Sequence, residues 1–313
     1  MKKKILICGA SGFIGRNLFE TLSRREDLEV FGTYYTRKFS ENNKLIQIDL
    51  TDKKRVNEII RGFDVLIQAA AVTTGSKDVA ERPYIHITNN LIMNSLIFQA
   101  AFNNNIPRLI FFSCTTMYPV SKHLVKETDV DLNEGVYEKY FGGGWMKLYL
   151  EKLCEFYSRL GRTKYTAIRH SNIYGPYDKY DLEKSHVFGA TITKVMKAKD
   201  KIIVWGEGKE ERDLLYVSDL VGFVELAMEK QTDNFGLYNV GFGKSISVND
   251  LVNAIVRRSE KNLIIEYDKT KPTMATKLAL DITLAKEKFG WEPKITLEEG
   301  IVKTMDWYKN NIL

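Results

Sequence analysis

The sequence predicts an α/β protein with a doubly wound parallel sheet and a smaller C-terminal substrate-binding α/β domain. Short apolar strands alternate with amphipathic helices in the first half of the chain, whereas loops and short elements dominate after about residue 175. A glycine-rich turn follows the first strand directly. Strands that alternate with helices are joined by crossover connections, which make neighbouring strands parallel and place helices on both faces of the sheet.

The predicted strands and helices alternate along the first half of the chain, as a doubly wound sheet requires. The predicted strands are Lys4–Cys8, Leu28–Tyr35, Leu45–Leu50, Asp64–Ala71, Arg108–Ser113 and Tyr165–Arg169. The predicted helices are Asn17–Leu22, Lys53–Arg61, Asn89–Asn103, Tyr149–Leu160, Asp219–Glu229, Val248–Arg258 and Thr296–Lys309.

The glycine-rich turn predicts a phosphate-binding site. Gly9 makes the tight turn, Gly12 lets backbone amides approach a pyrophosphate, and Gly15 lets the helix pack close to the strand. The helix N-terminus then favours the negative charge. The alternative is a turn that only tightens a strand–helix junction. We predict a Rossmann-type dinucleotide-binding domain over residues 1–174, with contacts from Gly9, Ser11, Gly12, Phe13, Ile14 and Gly15.

The end of the second strand decides between NAD and NADP. An acidic residue there binds the ribose 2′-hydroxyl and repels a 2′-phosphate. The stretch Thr33–Lys38 has no acid, and its Arg37 and Lys38 either bind a 2′-phosphate or are solvated loop charges. We therefore expect NADP(H) in preference to NAD(H). Asp49 with Leu50 is a candidate for the adenine edge. Three small residues follow the fourth strand. They either let the chain pass close to the cofactor or pack the core: Ala69, Ala70 and Ala71.

Composition argues against several classes of protein. The chain has 313 residues and a net charge of +6, with no basic stripe interleaved with aromatic residues, so we expect no nucleic-acid partner. No apolar run has membrane-spanning length and no signal peptide precedes the first strand, so we expect a cytoplasmic protein. The three cysteines, Cys8, Cys114 and Cys154, are odd in number and lack metal-binding spacing, which fits a reducing compartment and predicts no metal.

The motifs together resemble those of the extended short-chain dehydrogenase/reductase family of nucleotide-sugar epimerases, dehydratases and reductases. Besides the glycine turn they are Ser113–Pro119, Lys147–Lys152, Asn172–Pro176, Arg212–Asp219, Leu280–Asp281 and Gly290–Pro293. Within the family the chain looks most like the GDP-fucose synthase-like branch of GDP-sugar reductases and epimerases. The stretches that carry this likeness are Tyr174–Tyr180, Ser185–Val187 and Val204–Arg212.

The resemblance implies a domain plan and partners. Residues 175–313 would bind a nucleotide sugar, with a GDP-sugar favoured, and some interchange of elements with the first domain is expected. Family members often pair through the two long helices that flank the active site, here around Asn89–Asn103 and Met146–Leu160. A homodimer is therefore expected.

The resemblance also implies acid/base chemistry beside Lys147. In the family a tyrosine four residues before this lysine transfers a proton, while the lysine lowers the pKa of the tyrosine and binds the nicotinamide ribose. Gly143 stands at the tyrosine position and has no side chain to transfer a proton. Tyr140 and Tyr149 are poor substitutes, because Tyr140 is expected in the preceding loop and Tyr149 points away from Lys147 on a helix.

The end of the fifth strand and a later histidine are further catalytic candidates. Family members carry a serine or threonine where Cys114 stands, with Thr115 and Thr116 beside it. Thr116 occupies the position of a cysteine base in the resembled branch, and threonine is a poor base. Cys114 is either a thiol acid/base or a small residue that closes a strand. His186 matches a second epimerisation acid, or it hydrogen-bonds the nicotinamide amide or a loop.

The remaining binding assignments also come from the resemblance. Those near the nicotinamide are Ser113, Lys147, His170, Asn172, Ile173 and His186. Those for the nucleotide sugar are Asn172, Lys194, Trp205, Arg212 and Lys277. Cations pair with phosphate oxygens and an indole stacks on a base, although Lys194 replaces an arginine and so loses a bidentate contact.

Three functions remain open at this point. The first is a nucleotide-sugar enzyme that transfers a hydride at C4 and is impaired by Gly143. The second is a redox-neutral sugar 3,5-epimerase that uses Cys114 and His186. The third is a non-catalytic protein that binds a nucleotide sugar.

Overall fold

The computed structural model describes residues 2–73, 82–182, 184–271 and 277–313. In chain order the strands are β1 Lys3–Cys8, β2 Leu28–Tyr34, β3 Leu45–Gln47, β4 Val65–Gln68, β5 Arg108–Phe112, β6 Lys164–His170, β7 Asn172–Tyr174, β8 Lys201–Trp205, β9 Glu211–Tyr216, β10 Phe235–Val240, β11 Ser245–Ser247 and β12 Ile264–Asp268. The helices are α1 Phe13–Leu22, α2 Lys53–Ile59, α3 Thr88–Asn103, α4 Phe141–Arg159, α5 Val187–Lys197, α6 Val217–Lys230, α7 Val248–Ser259, α8 Thr283–Phe289 and α9 Leu297–Asn311. Among these helices none is long and apolar enough to cross a bilayer.

Seven of the described strands form one sheet in the order β10-β6-β5-β4-β1-β2-β3, and every neighbouring pair is parallel. The side chains of β1 alternate between its faces, with Ile5 and Ile7 in one apolar core and Leu6 and Cys8 in another. Helices α1, α6 and α8 cover the first core, and α2, α3 and α4 cover the second. The predicted doubly wound α/β fold is confirmed.

Smaller sheets follow the large one along the chain. Strands β7, β9 and β11 form a mixed sheet and β8 pairs with β12. Helices α5, α7 and α9 pack around a third apolar core that includes Ile192, Ile255 and Ile301. Strand β10 returns to the large sheet beside β6, so the later part of the chain contributes a strand to the earlier one. The predicted boundary after residue 174 remains a prediction.

Helix α4 begins at Phe141, eight residues before the start that the sequence pattern predicts at Tyr149. Three consecutive glycines in its first turn disfavour a helix, because glycine loses the most backbone entropy on ordering. Tertiary packing overrides this preference. A Cβ at Gly144 would collide with Val136, and one at Gly142 would stand 3.1 Å from Cδ1 of Ile87. The glycines therefore let the helix start lie close against its neighbours.

Candidate active site

The glycine turn after β1 has the geometry of a phosphate cradle. Gly9 has a φ of +80°, and a Cβ there would stand 2.5 Å from Cα of Ala70. A Cβ at Gly15 would collide with the carbonyl oxygen of Gly9, so α1 packs directly on the turn. Gly12 is exposed and precedes α1 without a side chain over the helix end. The turn therefore offers backbone amides and a helix N-terminus to an anion.

The residues predicted around the rest of a dinucleotide lie beyond β2, β3 and β4. Arg37 is exposed, and Lys38 pairs with Glu41 at 2.8 Å. The exposed Asp49 carboxylate accepts hydrogen bonds from the amide and hydroxyl of Thr51, and these bonds lower the pKa of Asp49. Leu50 is buried, Ala69 and Ala70 are half-buried, and Ala71 is exposed.

Lys147 lies against the carboxyl end of β5. Its Nζ donates a hydrogen bond to the carbonyl oxygen of Phe112 at 2.7 Å. Burial lowers the pKa of Lys147, and the neighbouring Cys114 and Glu151 oppose that shift. Because β1 and β5 are parallel strands of one sheet, Lys147 and the glycine turn after β1 lie at the same sheet edge.

The loop after β5 brings a thiol and hydroxyls to this edge. Cys114, Thr115 and Thr116 are half-buried, and Cys114 Sγ lies 2.9 Å from Thr116 Oγ1, within hydrogen-bonding distance. Ser113, by contrast, is buried and donates to Glu151 Oε1 at 2.5 Å. Cys114 is therefore the first side chain of this loop that a bound molecule can reach.

Behind this loop lies a buried ion pair that sequence reasoning missed. Glu151 accepts from Arg169 at 2.6 Å, and both side chains are 4% exposed. Arg169 also donates to the hydroxyl of Tyr118 at 2.9 Å, and that hydroxyl donates to Asn239 at 2.7 Å. Two signals in the sequence pointed to the pair. Glu151 follows Lys147 by one helical turn, and Arg169 is a charged residue that follows the apolar Ala167 and Ile168 in its strand.

Two histidines flank the lysine side of the edge. His170 lies with Nδ1 2.8 Å from the carbonyl oxygen of Ser171, and burial lowers its pKa to about 4. His186 precedes α5 directly and retains solvent contact. The pKa of His186 is lowered by surrounding protein and then by the charges of Lys179 and Arg212. Both imidazoles are therefore neutral at pH 7 and keep one basic nitrogen.

Gly143 lies in the first turn of α4, one turn before Lys147. Apart from its chain neighbours and the backbone of its own helix, a Cβ at this position would meet no atom of the described residues within 4 Å. Position 143 is therefore the predicted catalytic position that has no side chain and open space around it.

The residues predicted to bind the nucleotide sugar form two groups. Lys194 donates to the carbonyl oxygen of Ile203 at 2.7 Å, and its Nζ lies 5.6 Å from the ring centroid of Trp205, which is 42% exposed. Arg212 lies on β9 and donates to the carbonyl oxygen of its neighbour Glu211, whose carboxylate pairs with Lys277 at 2.6 Å.

Other residues of the site come from β7 and the loop that follows it. Asn172 donates to the backbone of Asp213 at 3.2 Å, and Ile173 beside it is buried. Lys179, which the sequence did not single out, donates to the carbonyl and hydroxyl oxygens of Thr73 at 2.8 and 2.7 Å. This pair joins the segment after β4 to the loop before α5.

A family model described as the NAD dependent epimerase/dehydratase family matches residues 5–241. The chain belongs to this family. This match confirms the family resemblance that the motifs indicated. The family is NAD-dependent, and the glycine turn has the geometry that a dinucleotide requires. The crowded Gly9 and Gly15 and the open end of α1 at Gly12 fit the pyrophosphate of a dinucleotide.

Relatives within this epimerase/dehydratase family span the whole chain. The GDP-L-colitose synthase of Yersinia pseudotuberculosis is 29% identical over 314 residues, which cover 98% of each chain. The GDP-L-fucose synthase of Escherichia coli K12 is 27% identical and covers 99% of this chain and 98% of that one. The crystal structure of UDP-glucose 4-epimerase from Thermotoga maritima has a TM-score of 0.87 and 25% identity, over 99% of this chain and 100% of that one. The chain therefore resembles enzymes of nucleotide sugars.

Proposed function

We propose that the protein is a nucleotide-sugar enzyme that transfers a hydride at C4 of a GDP-linked sugar, with NADP(H) preferred over NAD(H). The observation that carries this proposal is the hydrogen bond from Lys147 to Phe112, at the same sheet edge as the glycine turn. That edge is where a doubly wound sheet binds a dinucleotide. The GDP-sugar synthases among the relatives support GDP as the carrier.

The residues of this site would hold the cofactor along the sheet edge. The turn Gly9–Gly15 would hold the pyrophosphate, Arg37 a 2′-phosphate, and Lys147 the nicotinamide ribose. When bound, the nicotinamide supplies or accepts the hydride. Support for NADP(H) comes from the end of β2, where residues 33–38 carry two cations and no acid.

Binding of the GDP-sugar falls to residues of the later strands and helices. The exposed Trp205 offers a ring face for a base, with Lys194 beside it. Arg212 and Lys277 offer cations to the diphosphate, and Asn172 lies on β7, which pairs with the strand β9 that carries Arg212.

Gly143 sets the expected rate of the reaction. The proton step in the resembled enzymes uses a tyrosine at this position, and a positioned general acid contributes about 10²–10⁴-fold to the rate. We expect the chain to turn over slowly by about this factor. The open space around Gly143 means that Gly143→Tyr adds a phenol without a collision at Cβ.

The test compares the chain with its Gly143→Tyr variant on GDP-4-keto-6-deoxymannose and NADPH in D₂O, following NADPH absorbance and sugar mass. A gain of about 10²–10⁴-fold in NADPH oxidation supports C4 hydride transfer. Full reductase turnover in the unaltered chain would contradict the impairment, and no oxidation by either protein would contradict the hydride transfer.

A second candidate, a redox-neutral 3,5-epimerase, is favoured by the thiol of Cys114 and by the neutral, solvent-contacting His186. Its signature in the same experiment is solvent deuterium in the sugar without NADPH oxidation. Binding of the nucleotide sugar with neither signal would indicate a non-catalytic binding protein.

We also propose a homodimer through α3 and α4. Tyr149 and Phe156 are each 54% exposed and lie two turns apart on one face of α4, with Ile92 exposed on the neighbouring α3. Sedimentation of Phe156→Asp against Leu132→Asp, an equally exposed leucine outside both helices, tests this. Only Phe156→Asp is expected to give monomers. The three free thiols support a reducing, cytoplasmic location.

A further inference from the structure

The loop after β5 is held at both of its ends by buried hydrogen bonds. At its start, buried Ser113 donates to Oε1 of Glu151 at 2.5 Å. At its end, the hydroxyl of buried Tyr118 accepts from Nη1 of Arg169 at 2.9 Å. The residues between these two ends, 114–117, include the catalytic candidates of the loop.

Both ends lead to the same ion pair. Arg169 donates to Glu151 from Nε at 3.0 Å and from Nη2 at 2.6 Å, so the contact is bidentate. Its Nη1 is left for Tyr118 and for the carbonyl oxygen of Glu127, which lies at 3.0 Å. A guanidinium is planar and rigid, so the two bonds to Glu151 fix the direction in which Nη1 points. The contact that holds Ser113 therefore also sets the position of Tyr118.

The hydroxyl of Tyr118 is engaged on its other side as well. It donates to Oδ1 of Asn239 at 2.7 Å, and the side-chain amide of Asn239 donates to the carbonyl oxygen of Val125 at 2.8 Å. Burial raises the pKa of Tyr118, so the hydroxyl keeps the proton that it donates. Without this hydroxyl, Arg169 and Asn239 would each lose a partner in the interior, where unpaired polar groups are costly.

We propose that Tyr118 is a positioning residue that holds the loop after β5, and with it the thiol of Cys114, at the sheet edge; the catalytic use of this loop rests on the function proposed above. Tyr118 acts at one end of the loop and Ser113 at the other. Cys114 Sγ lies 2.9 Å from Thr116 Oγ1 in the loop conformation that these ends maintain. An acid or base works only when it is held within hydrogen-bonding reach of the atom that it serves.

The variant Tyr118→Phe separates the loop from the ion pair. It removes the hydroxyl and keeps the ring, while Arg169 retains both bonds to Glu151. One end of the loop is thereby released and the link between α4 and β6 remains. We therefore expect the loop to loosen without unfolding of the sheet.

The three cysteines provide a reporter for this loop. Cys8 and Cys154 are fully buried, whereas Cys114 is partly exposed. In alkylation by iodoacetamide the thiol proton passes to solvent, the sulfur bonds to carbon and iodide leaves, and access to the thiol limits the rate. Reaction at Cys8 or Cys154 therefore reports unfolding, and reaction at Cys114 reports the loop.

The experiment measures the alkylation rate of each cysteine by mass spectrometry in the unaltered chain, Tyr118→Phe, Ser113→Ala and Tyr165→Phe. Tyr165→Phe is the matched control, because Tyr165 is also buried and donates its hydroxyl to the carbonyl oxygen of Phe98 at 3.1 Å, away from the loop. Urea unfolding checks that the two tyrosine variants lose similar stability.

We expect Tyr118→Phe and Ser113→Ala each to raise the alkylation rate of Cys114 by about five- to tenfold, the factor that corresponds to one lost buried hydrogen bond. Tyr165→Phe should stay within about twofold of the unaltered chain. Cys8 and Cys154 should remain unmodified in all four proteins.

Three results would overturn the role of Tyr118. The first is a Cys114 rate that Tyr118→Phe or Ser113→Ala leaves unchanged. The second is an equal rise in Tyr165→Phe, which would trace the effect to a general loss of stability. The third is reaction of Cys8 and Cys154 as fast as Cys114 in Tyr118→Phe, which would mean that the hydroxyl holds the whole fold. Alkylation needs no nucleotide sugar, so failure of the proposed function shows separately, as absent NADPH oxidation by Gly143→Tyr.

Discussion

Two of the described helices begin beside three glycines each, and the two sets differ at one position. At the start of α1, Gly9 and Gly15 stand where any Cβ would strike the backbone of the turn or of Ala70. At the start of α4, the middle glycine, Gly143, faces open space. The first triplet is required by contact, whereas the centre of the second is set by no contact among the described residues.

This difference separates two kinds of information in a sequence. A glycine that is needed for close approach indicates what the chain binds or packs against. A glycine in open space is required by no contact, and its meaning comes from the positions around it. For Gly143 that position is Lys147, one helical turn later.

The largest expected effect is a loss of stability when the buried ion pair between α4 and β6 is broken. Glu151→Ala leaves Arg169 buried without its partner, which costs about 3–5 kcal/mol of unfolding free energy. Glu155→Ala, on the same helix, removes pairs with the exposed Lys152 and Arg159 and should cost less than about 1 kcal/mol. Urea unfolding of both variants gives the comparison. Equal losses would show that the buried pair does not anchor the helix.

The next effect tests the crowded triplet. Gly15→Ala forces a methyl group against the carbonyl oxygen of Gly9, and we expect a loss of about 3 kcal/mol. NADPH affinity, measured by fluorescence titration, should fall as well, because α1 must move away from the turn. If stability and NADPH affinity are unchanged, Gly15 is no more constrained by its contacts than Gly143, and the contrast between them is wrong.

A third effect comes from pH and involves the α4 side of the site. His170 titrates at about 4 in the folded chain and near 6.5 when unfolded, so the unfolded state binds more protons between these values. The stability that a neutral His170 contributes is present above pH 6.5 and is lost as the pH falls toward 4. We expect this loss to reach about 3 kcal/mol by pH 4.

The variant His170→Gln separates the contribution of His170 from that of the other groups that titrate in acid. Its unfolding free energy should fall less steeply between pH 7 and 4 than that of the unaltered chain, whereas exposed His123→Gln should follow the unaltered chain. Parallel curves for all three proteins would rule out the buried His170 as the source of the slope.

The smallest effect is a gain. Gly143→Ala adds a helix-favouring residue in open space, which should raise the unfolding free energy by about 0.5–1 kcal/mol without changing kcat. Thermal unfolding and NADPH oxidation measure the two quantities. A change in kcat would mean that helix order at this turn, and not a missing phenol, limits the reaction.

The sequence predicted the glycine turn better than the start of α4, because the turn is local. The first strand, the glycine turn and the first helix are adjacent in the chain, and the spacing of Gly9, Gly12 and Gly15 sets their geometry. The start of α4 packs against Ile87, which is more than 50 residues earlier in the chain, and against Val136, which precedes the helix. Propensity alone therefore started the predicted helix too late, at Tyr149 instead of Phe141.

The buried pair of Glu151 and Arg169 shows the same limit. Each residue was visible in the sequence, but their pairing joins α4 to β6, and the link onward to Asn239 joins β10. Such contacts follow from the order of strands in the sheet, which the alternation of strands and helices does not specify.

The open space at Gly143 also has a consequence for molecular selectivity. If the proposed C4 hydride transfer takes place here, we expect a nucleotide-sugar analogue with an aromatic group near the reacting carbon to place that group beside Gly143. In family members that carry a tyrosine at this position, the same group meets the tyrosine ring. We therefore expect such an analogue to bind this chain more tightly than it binds relatives that carry the tyrosine, a difference that competition binding measures.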